Sequence, residues 1–240
     1  MRLINGIWGW RHNQTIDFYG TPNETEEEFK NNLNLMPADW PYRTKKITYQ
    51  FNSLGHRAVE PDTLSDGYLL FGGCSHTEGV GLAVEDTYPA FISRQLGIDY
   101  YNIAQGGTGP DVLSHNIIMF VTMLKVKPAC VIIQWPEIER FFTVSVVNHE
   151  MRGDLHNTSS LGRDPILKFS LENEIFSGLN NYYKIFLLEF LQNLNIPVVI
   201  ASRHFPERPD LARDLLHFGI LSNQKAAEIV LSNIKRTLKI

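Results

Sequence analysis

Two cysteines in a chain of 240 residues, Cys74 and Cys130, cannot form the disulfide framework of a small secreted domain. Both sit in or beside apolar runs, where a reduced thiol behaves as a small hydrophobe. Basic clusters are equally scarce. No run of Lys and Arg exceeds Lys45–Lys46, and 22 basic against 26 acidic residues leave a net charge of −4. The electrostatic footprint of a nucleic-acid binder is therefore missing. No apolar stretch approaches the roughly 18 residues of a membrane span. The opening MRLINGIWGWRHNQ is broken by Asn5, Gly6 and Gly9 before a signal-peptide core forms. The expectation is a cytoplasmic protein with no nucleic-acid and no membrane partner. The eight histidines show no HExxH or other ligand spacing, so no metal is expected. GxGxxG and P-loop signatures are absent too, as are repeats and low-complexity tracts. Asn13, Asn23 and Asn157 open N-x-[ST] triplets, a number that chance supplies at this length.

What the chain does have is 43% hydrophobic residues, enough to bury a core without staples. From about residue 68 onward, apolar runs alternate with amphipathic stretches at helical spacing, the pattern of a parallel sheet covered by helices on both faces. YLLFGG (68–73), YYNIA (100–104), ACVIIQW (129–135) and PVVIAS (197–202) read as strands buried on both faces. Leu113, Ile117, Phe120, Val121 and Leu124 recur at one helical spacing, and Ile175, Leu179, Tyr182, Phe186 and Phe190 at another. Ala227, Val230, Leu231, Ile234 and Leu238 mark a terminal helix. Residues 1–66 hold three of the four tryptophans (Trp8, Trp10, Trp40), an acidic ETEEEF segment and one strand-like run, KITYQF (46–51). Their apolar content is thin, so they are expected to be an N-terminal extension packed on an α/β domain of residues 67–240. Residues 136–165 are rich in Gly, Asp, Asn, Ser and Pro and read as a long irregular insertion.

In a parallel α/β sheet the loops after the strands gather on one edge, where an active site belongs. Three windows fall there. GGCSHTEGVG puts Ser75 on the turn after the first strand, with its Oγ exposed and its own N–H beside it. A polar turn residue, or a glycine loop cradling phosphate, is the plain alternative. NIAQGGTGPD offers the N–H groups of Gly106, Gly107 and Gly109 as an anion hole, or else a helix entry capped by Asp111. RDLLHFG places Asp214 and His217 three apart, a spacing at which the carboxylate can hold His Nδ1–H and leave Nε2 as a base. A surface Asp and a helix-flanking His would look the same.

In this order the three windows resemble the blocks of the SGNH (GDSL-type) hydrolase family, over roughly residues 47–238. FGGCSHTEG is similar to the family's first block, with Ser75 as nucleophile and Cys74 where Asp usually stands. NIAQGG is similar to the second, whose glycine, here Gly107, joins the N–H of Ser75 in the oxyanion hole, and DLLHFG to the last, with Asp214 orienting and His217 as base. The third block departs. Where the family carries Gly-x-Asn-Asp, this strand runs VIIQWPEIER, and Glu137 falls on the expected Asn. An ionised Glu accepts and cannot donate, which leaves Gln134, another donor, or two backbone donors alone.

The resemblance implies a three-layer α/β/α fold with a mainly parallel sheet in flavodoxin-like order, and ester hydrolysis through an acyl-serine without a cofactor. His76, Gln134, Glu137 and Arg57 are the residues expected on the substrate side, Arg57 on the rim with Asn52 and Gly55. Trp135 ends a buried strand and serves either core or sugar stacking. The polar loops suit a small acyl group, acetyl by preference, leaving a carbohydrate or other small hydroxyl compound. Trp8, Trp10 and Trp40 would supply stacking faces, or ordinary packing. The rival is a catalytically degenerate module of the same fold that recognises a glycan or peptide. A phosphate or nucleotide binder ranks behind both, and the oligomeric state is left open.

Overall fold

The structure, a computed structural model, describes residues 3–4, 11–138, 140–147, 150–156, 175–202 and 208–240. Its strands are β1 (Thr15–Ile16), β2 (Tyr49–Gln50), β3 (Leu69–Gly72), β4 (Tyr100–Asn102), β5 (Cys130–Ile133), β6 (Phe141–Val147), β7 (Glu150–His156) and β8 (Val198–Ile200). Its helices are α1 (Glu26–Leu35), α2 (Ser75–Glu78), α3 (Tyr88–Leu96), α4 (Pro110–Met123), α5 (Ile175–Asn193) and α6 (Ile220–Leu238).

The four fully apolar runs form one parallel sheet in the order β4-β3-β5-β8, which is the flavodoxin-like order. Alternation along each strand sends successive side chains to opposite faces. Leu70, Tyr101, Val131 and Ile133 lie under α4 and α5, while Leu69, Phe71, Cys130 and Ile132 lie under α3 and α6. The result is a three-layer α/β/α body. Because the strands are parallel, all their C-terminal ends open on one edge.

The α4 stripe of Leu113, Ile117, Phe120 and Val121 is buried at the spacing that predicts it. On α5 only the last member of the predicted stripe, Phe190, packs against the core. Ile175, Leu179, Tyr182 and Phe186 are 44% to 63% exposed, and Leu187 and Leu191 enter the core instead. This helix carries apolar residues on both sides, so periodicity finds the helix without choosing its inner face.

KITYQF shrinks to the two residues of β2, paired antiparallel with β1. α1 starts at Thr25, whose hydroxyl accepts the N–H of Glu28 at 3.1 Å, with Glu26, Glu27 and Glu28 at the positive end of the helix dipole. Tyr19, Trp40, Tyr42, Ile47, Tyr49 and Phe51 from this part of the chain cluster with Val80, Leu82 and Ala212 of the α/β body. Trp40 is therefore core, ring against Phe29 and Tyr42 at 6.2 and 5.1 Å, and not a stacking face. Trp8 and Trp10 lie outside the described residues.

The irregular insertion expected at 136–165 holds an antiparallel hairpin, β6 against β7, in register from Phe141↔His156 to Val147↔Glu150. FFTVSVV is rich in β-branched and aromatic residues, a strand preference that the polar composition of the wider window hid. Residues 139, 148–149 and 157–165 of that window, Asn157 among them, lie outside the described residues. Among the described residues, no helix is long and apolar enough to cross a membrane.

Candidate active site

β3 delivers the chain into α2 through Gly72 and Gly73, and close packing makes both glycines. A Cβ on Gly72 would press on Ile117 and Leu113, and one on Gly73 would overlap Thr77 and approach the Gln134 carbonyl at 3.2 Å. The left-handed residue of the turn is Gly79, at φ +82°, which ends the four-residue helix. Ser75 opens that helix, so its N–H has no intrahelical acceptor. Its hydroxyl contacts the Cys74 thiol at 3.6 Å and not His217.

Asp214 and His217 come from a tight loop that an antiparallel bridge between Leu211 and Phe218 closes, with Ala212 N–H donating to the His217 carbonyl at 2.9 Å. Leu215 between them sits at φ +53°, an uncommon conformation for a residue of its size. His217 Nδ1 is hydrogen-bonded to Asp214 Oδ2, and Oδ1 accepts the N–H groups of Leu216 and His217 at 3.1 and 3.0 Å. Burial alone would raise the Asp214 carboxyl. The hydrogen bond and charge of His217, with those two N–H groups, outweigh it and hold the carboxyl below its ordinary value.

Ser75 and His217 line one cleft of about 270 Å³, together with Cys74, His76, Gln134, Trp135, Glu137 and Leu216. His76 lies against the loop of Asp214 and His217, its ring 4.9 Å from that of His217 and 4.3 Å from Phe218. Glu137 is ion-paired with Arg140, whose Nη1 also donates to Cys74 Sγ at 3.1 Å. Gln134 is buried. Its carbonyl oxygen accepts from Thr77 at 2.9 Å, and its amide donates to the Ser202 carbonyl at 3.3 Å.

Gly107, half-buried at φ +80°, is not among the residues lining the cleft. Thr108 Oγ1 in its loop donates to the Gln105 carbonyl at 2.8 Å and lies 3.3 Å from the Gly73 carbonyl of the serine turn. Arg57 is not on the rim. It is buried, donates to the carbonyls of Gly79 and Leu82 at 2.8 and 2.7 Å, and lies over the Tyr49 ring at 4.4 Å. Asn52 Oδ1 accepts the N–H groups of Leu54 and His56, at 3.0 Å each, and Gly55 takes φ +79°; this turn puts Arg57 beneath the loop after α2.

Arg140 and Arg208 also line the cleft; Arg140 is the basic partner that the sequence suggests for Glu137, and Arg208 is the one that sequence reasoning missed. Arg140 is set by Asn180 of α5, which donates to its carbonyl at 2.8 Å. Arg208 stacks on Phe218 at 4.5 Å. The stacking of Arg208 on Phe218 and the Asn180 contact have no local pattern to announce them, whereas Glu137 and Arg140 lie three apart. Cys74 and Cys130 are free thiols, and no group of three or more His, Cys, Asp or Glu among the described residues is placed to hold a metal.

Neither a family model nor a curated protein matches the sequence. Among solved structures, an acetyl xylan esterase from the rumen bacterium Butyrivibrio proteoclasticus overlaps 73% of this chain at 15% identity and a TM-score of 0.41. The chain spans 65% of that protein's length. A carbohydrate esterase of family 2 from Corynascus thermopiles, with a carbohydrate-binding domain, overlaps 74% of this chain and 69% of its own at 13% identity and a TM-score of 0.43. A putative G-D-S-L family lipolytic protein from Desulfitobacterium hafniense overlaps 70% of this chain and 99% of its own, at 13% identity and a TM-score of 0.38. Carbohydrate esterases and G-D-S-L lipolytic proteins are thus what the chain is similar to.

Proposed function

We propose that the chain is a serine-dependent esterase of the SGNH type. The observation that carries this reading is the hydrogen-bonded Asp214–His217 pair sharing a cleft with a serine at the start of a helix. Asp214 holds the imidazole so that Nε2 faces the cleft as a base. Rotation of the Ser75 side chain away from Cys74 lets His217 take its proton as Oγ attacks the ester carbonyl. The N–H groups of Ser75 and Gly107 then receive the oxyanion. His217 protonates the leaving alcohol, and water repeats the sequence on the acyl-serine. Glu137, ion-paired with Arg140, is not a donor, and one N–H of the Gln134 amide goes to the Ser202 carbonyl, so this reading gives the hole to the two backbone donors.

The substrate we infer is a small acyl ester, acetyl by preference, on a carbohydrate or other small hydroxyl compound. Among the described residues the cleft is walled by His76, Gln134, Glu137 and the two arginines beside Trp135, Pro136 and Leu216, a lining that suits a small acyl group better than a long chain. A degenerate binding module is the second reading, favoured by Glu137 in place of an amide donor and by the Ser75 hydroxyl resting on Cys74. A fluorophosphonate probe separates the two. Labelling of Ser75, lost in Ser75→Ala, is expected, along with faster turnover of an acetyl than of an octanoyl ester of one alcohol. An unlabelled, folded protein would leave the binding module standing.

A further inference from the structure

Two backbone donors on separate loops make an oxyanion hole only if something fixes the distance between them. Ser75 belongs to α2, and Gly107 to the loop after β4. Glu78, on α2 three residues beyond Ser75, is fully buried, and its Oε2 accepts the N–H of Gly106, the neighbour of Gly107, at 2.5 Å. The same oxygen accepts the hydroxyl of Tyr19 at 2.5 Å. Tyr19 is in turn held by Arg11, whose guanidinium lies 3.9 Å from its ring centroid and donates to its carbonyl at 2.5 Å. Burial pushes the Glu78 carboxyl above its ordinary value, and the Tyr19 hydroxyl, the Gly106 N–H and the charges of Arg11 and Arg57 oppose the shift. Burying such a group is unfavourable unless its bonds are made. An apolar residue could fill this space without that penalty, so the carboxyl's directional bond to the loop is the property that distinguishes it.

Resting on the esterase reading, we propose that Glu78 is a positioning residue for catalysis: it sets the glycine loop against the serine helix so that both oxyanion donors converge, with Tyr19 holding the carboxyl in place. Glu78 does not reach substrate. Its loss therefore acts on the transition state, where the oxyanion is formed, and leaves ground-state binding alone.

The test uses the full chain with Glu78→Ala, Glu78→Gln and Tyr19→Phe, a nitrophenyl acetate assay with sites counted by fluorophosphonate, and a trifluoromethyl ketone whose serine adduct carries an oxyanion. Glu78→Ala is expected to lower kcat per labelled site about 10- to 100-fold with KM within about twofold, the range of a misplaced donor. Affinity for the ketone should fall by the same factor. Glu78→Gln keeps a carbonyl oxygen for the Gly106 N–H and should restore kcat to within about threefold of wild type. If Glu78→Ala does not fold, Tyr19→Phe should show a smaller fall in kcat and in ketone affinity at constant KM. Wild-type kcat in folded Glu78→Ala, or in Tyr19→Phe where that variant stands alone, would overturn the inference and leave the esterase reading intact. So would a rise in KM at constant kcat. A wild-type chain that the probe does not label at Ser75 would instead overturn the esterase reading, and this inference with it.

Discussion

His56 is buried to 0% exposure, with Nδ1 hydrogen-bonded to the Tyr101 hydroxyl at 2.8 Å and its ring edge-on to Tyr101 at 5.6 Å. Burial, and to a smaller extent the charge of His12, pull its pKa down to about 3. In the unfolded chain an imidazole titrates near pH 6.5, so between those values the unfolded state holds a proton that the folded state lacks. The contribution is fully present above pH 6.5 and is lost as pH falls towards 3. At pH 5 this amounts to about 2 kcal/mol, a sizeable part of a typical domain's 5–15 kcal/mol. His56→Phe should remove that slope, so that urea-unfolding free energies at pH 7 and pH 5 draw closer by about 2 kcal/mol. An unchanged difference between the two would contradict the assignment. Asp214 acts in the same direction at lower pH, since its depressed carboxyl stabilises the fold above the unfolded value and loses that effect as pH falls through the folded one. In catalysis the expected order is different. His217→Ala should be as damaging as Ser75→Ala, about 10⁶-fold in kcat, and Asp214→Asn less so, about 10⁴-fold. A neutral His217→Ala with an indispensable Asp214 would contradict the roles given to them.

Among the elements, α2 shows how little room the serine turn leaves. A Cβ on Gly73 would collide with Thr77 of the same helix and crowd the end of β5, so Gly73→Ala must push α2 away from the sheet. The expected result is a loss of about 1–3 kcal/mol in chemical denaturation and a fall in kcat larger than that of a surface substitution. Full activity and stability would show that the turn can absorb the methyl group. The sheet itself was legible because strands buried on both faces appear as unbroken apolar runs, and because parallel strands put the loops of Ser75, Gly107 and Gln134 on one edge by necessity. Helix α4 was legible because it is buried nearly all round, Val112, Asn116 and Met119 as well as the predicted stripe, so no choice of face could miss the core. On α5, with Leu187 inside and Tyr182 outside, both faces carry large hydrophobics, so the period was readable and the phase was not. The hairpin β6–β7 was obscured by averaging composition over 30 residues, a window wider than either of its seven-residue strands. Arg57 misled for a different reason: the carbonyls it serves lie more than 20 residues ahead in the chain, and no local pattern records them.

At the scale of the molecule, the reading of residues 1–66 as an extension of the body at 67–240 rests on links from Asp17, Phe18, Glu24 and Tyr49 to the loop of Asp214 and the loop after α2. Arg213, adjacent to Asp214, donates through Nε to Glu24 at 2.9 Å and through Nη2 to the Asp17 carbonyl at 2.6 Å. Its guanidinium also stacks on Phe18 at 4.5 Å. Glu24 accepts the Tyr49 hydroxyl at 2.9 Å, and that hydroxyl accepts the N–H of Gly81 at 2.8 Å. Both charged side chains are almost wholly buried, and burial pushes the Glu24 carboxyl up against the opposing effect of Arg213. Breaking such a pair from one side leaves a bare buried charge, which costs about 3–5 kcal/mol, whereas removing both charges is far milder. Arg213→Met should therefore destabilise strongly, and adding Glu24→Gln should return more than half of the loss. The sign with pH follows from the carboxyl. Without its cation Glu24 takes up a proton more readily in the folded state than in the unfolded one, so Arg213→Met should suffer less at pH 5 than at pH 8. Activity should not follow stability back, because the double variant still lacks the anchors to Asp17 and Phe18 that hold the loop carrying Asp214. Urea unfolding at the two pH values, with kcat for all variants, decides the matter. A double variant no more stable than Arg213→Met would show that the link between the extension and the catalytic loop lies elsewhere.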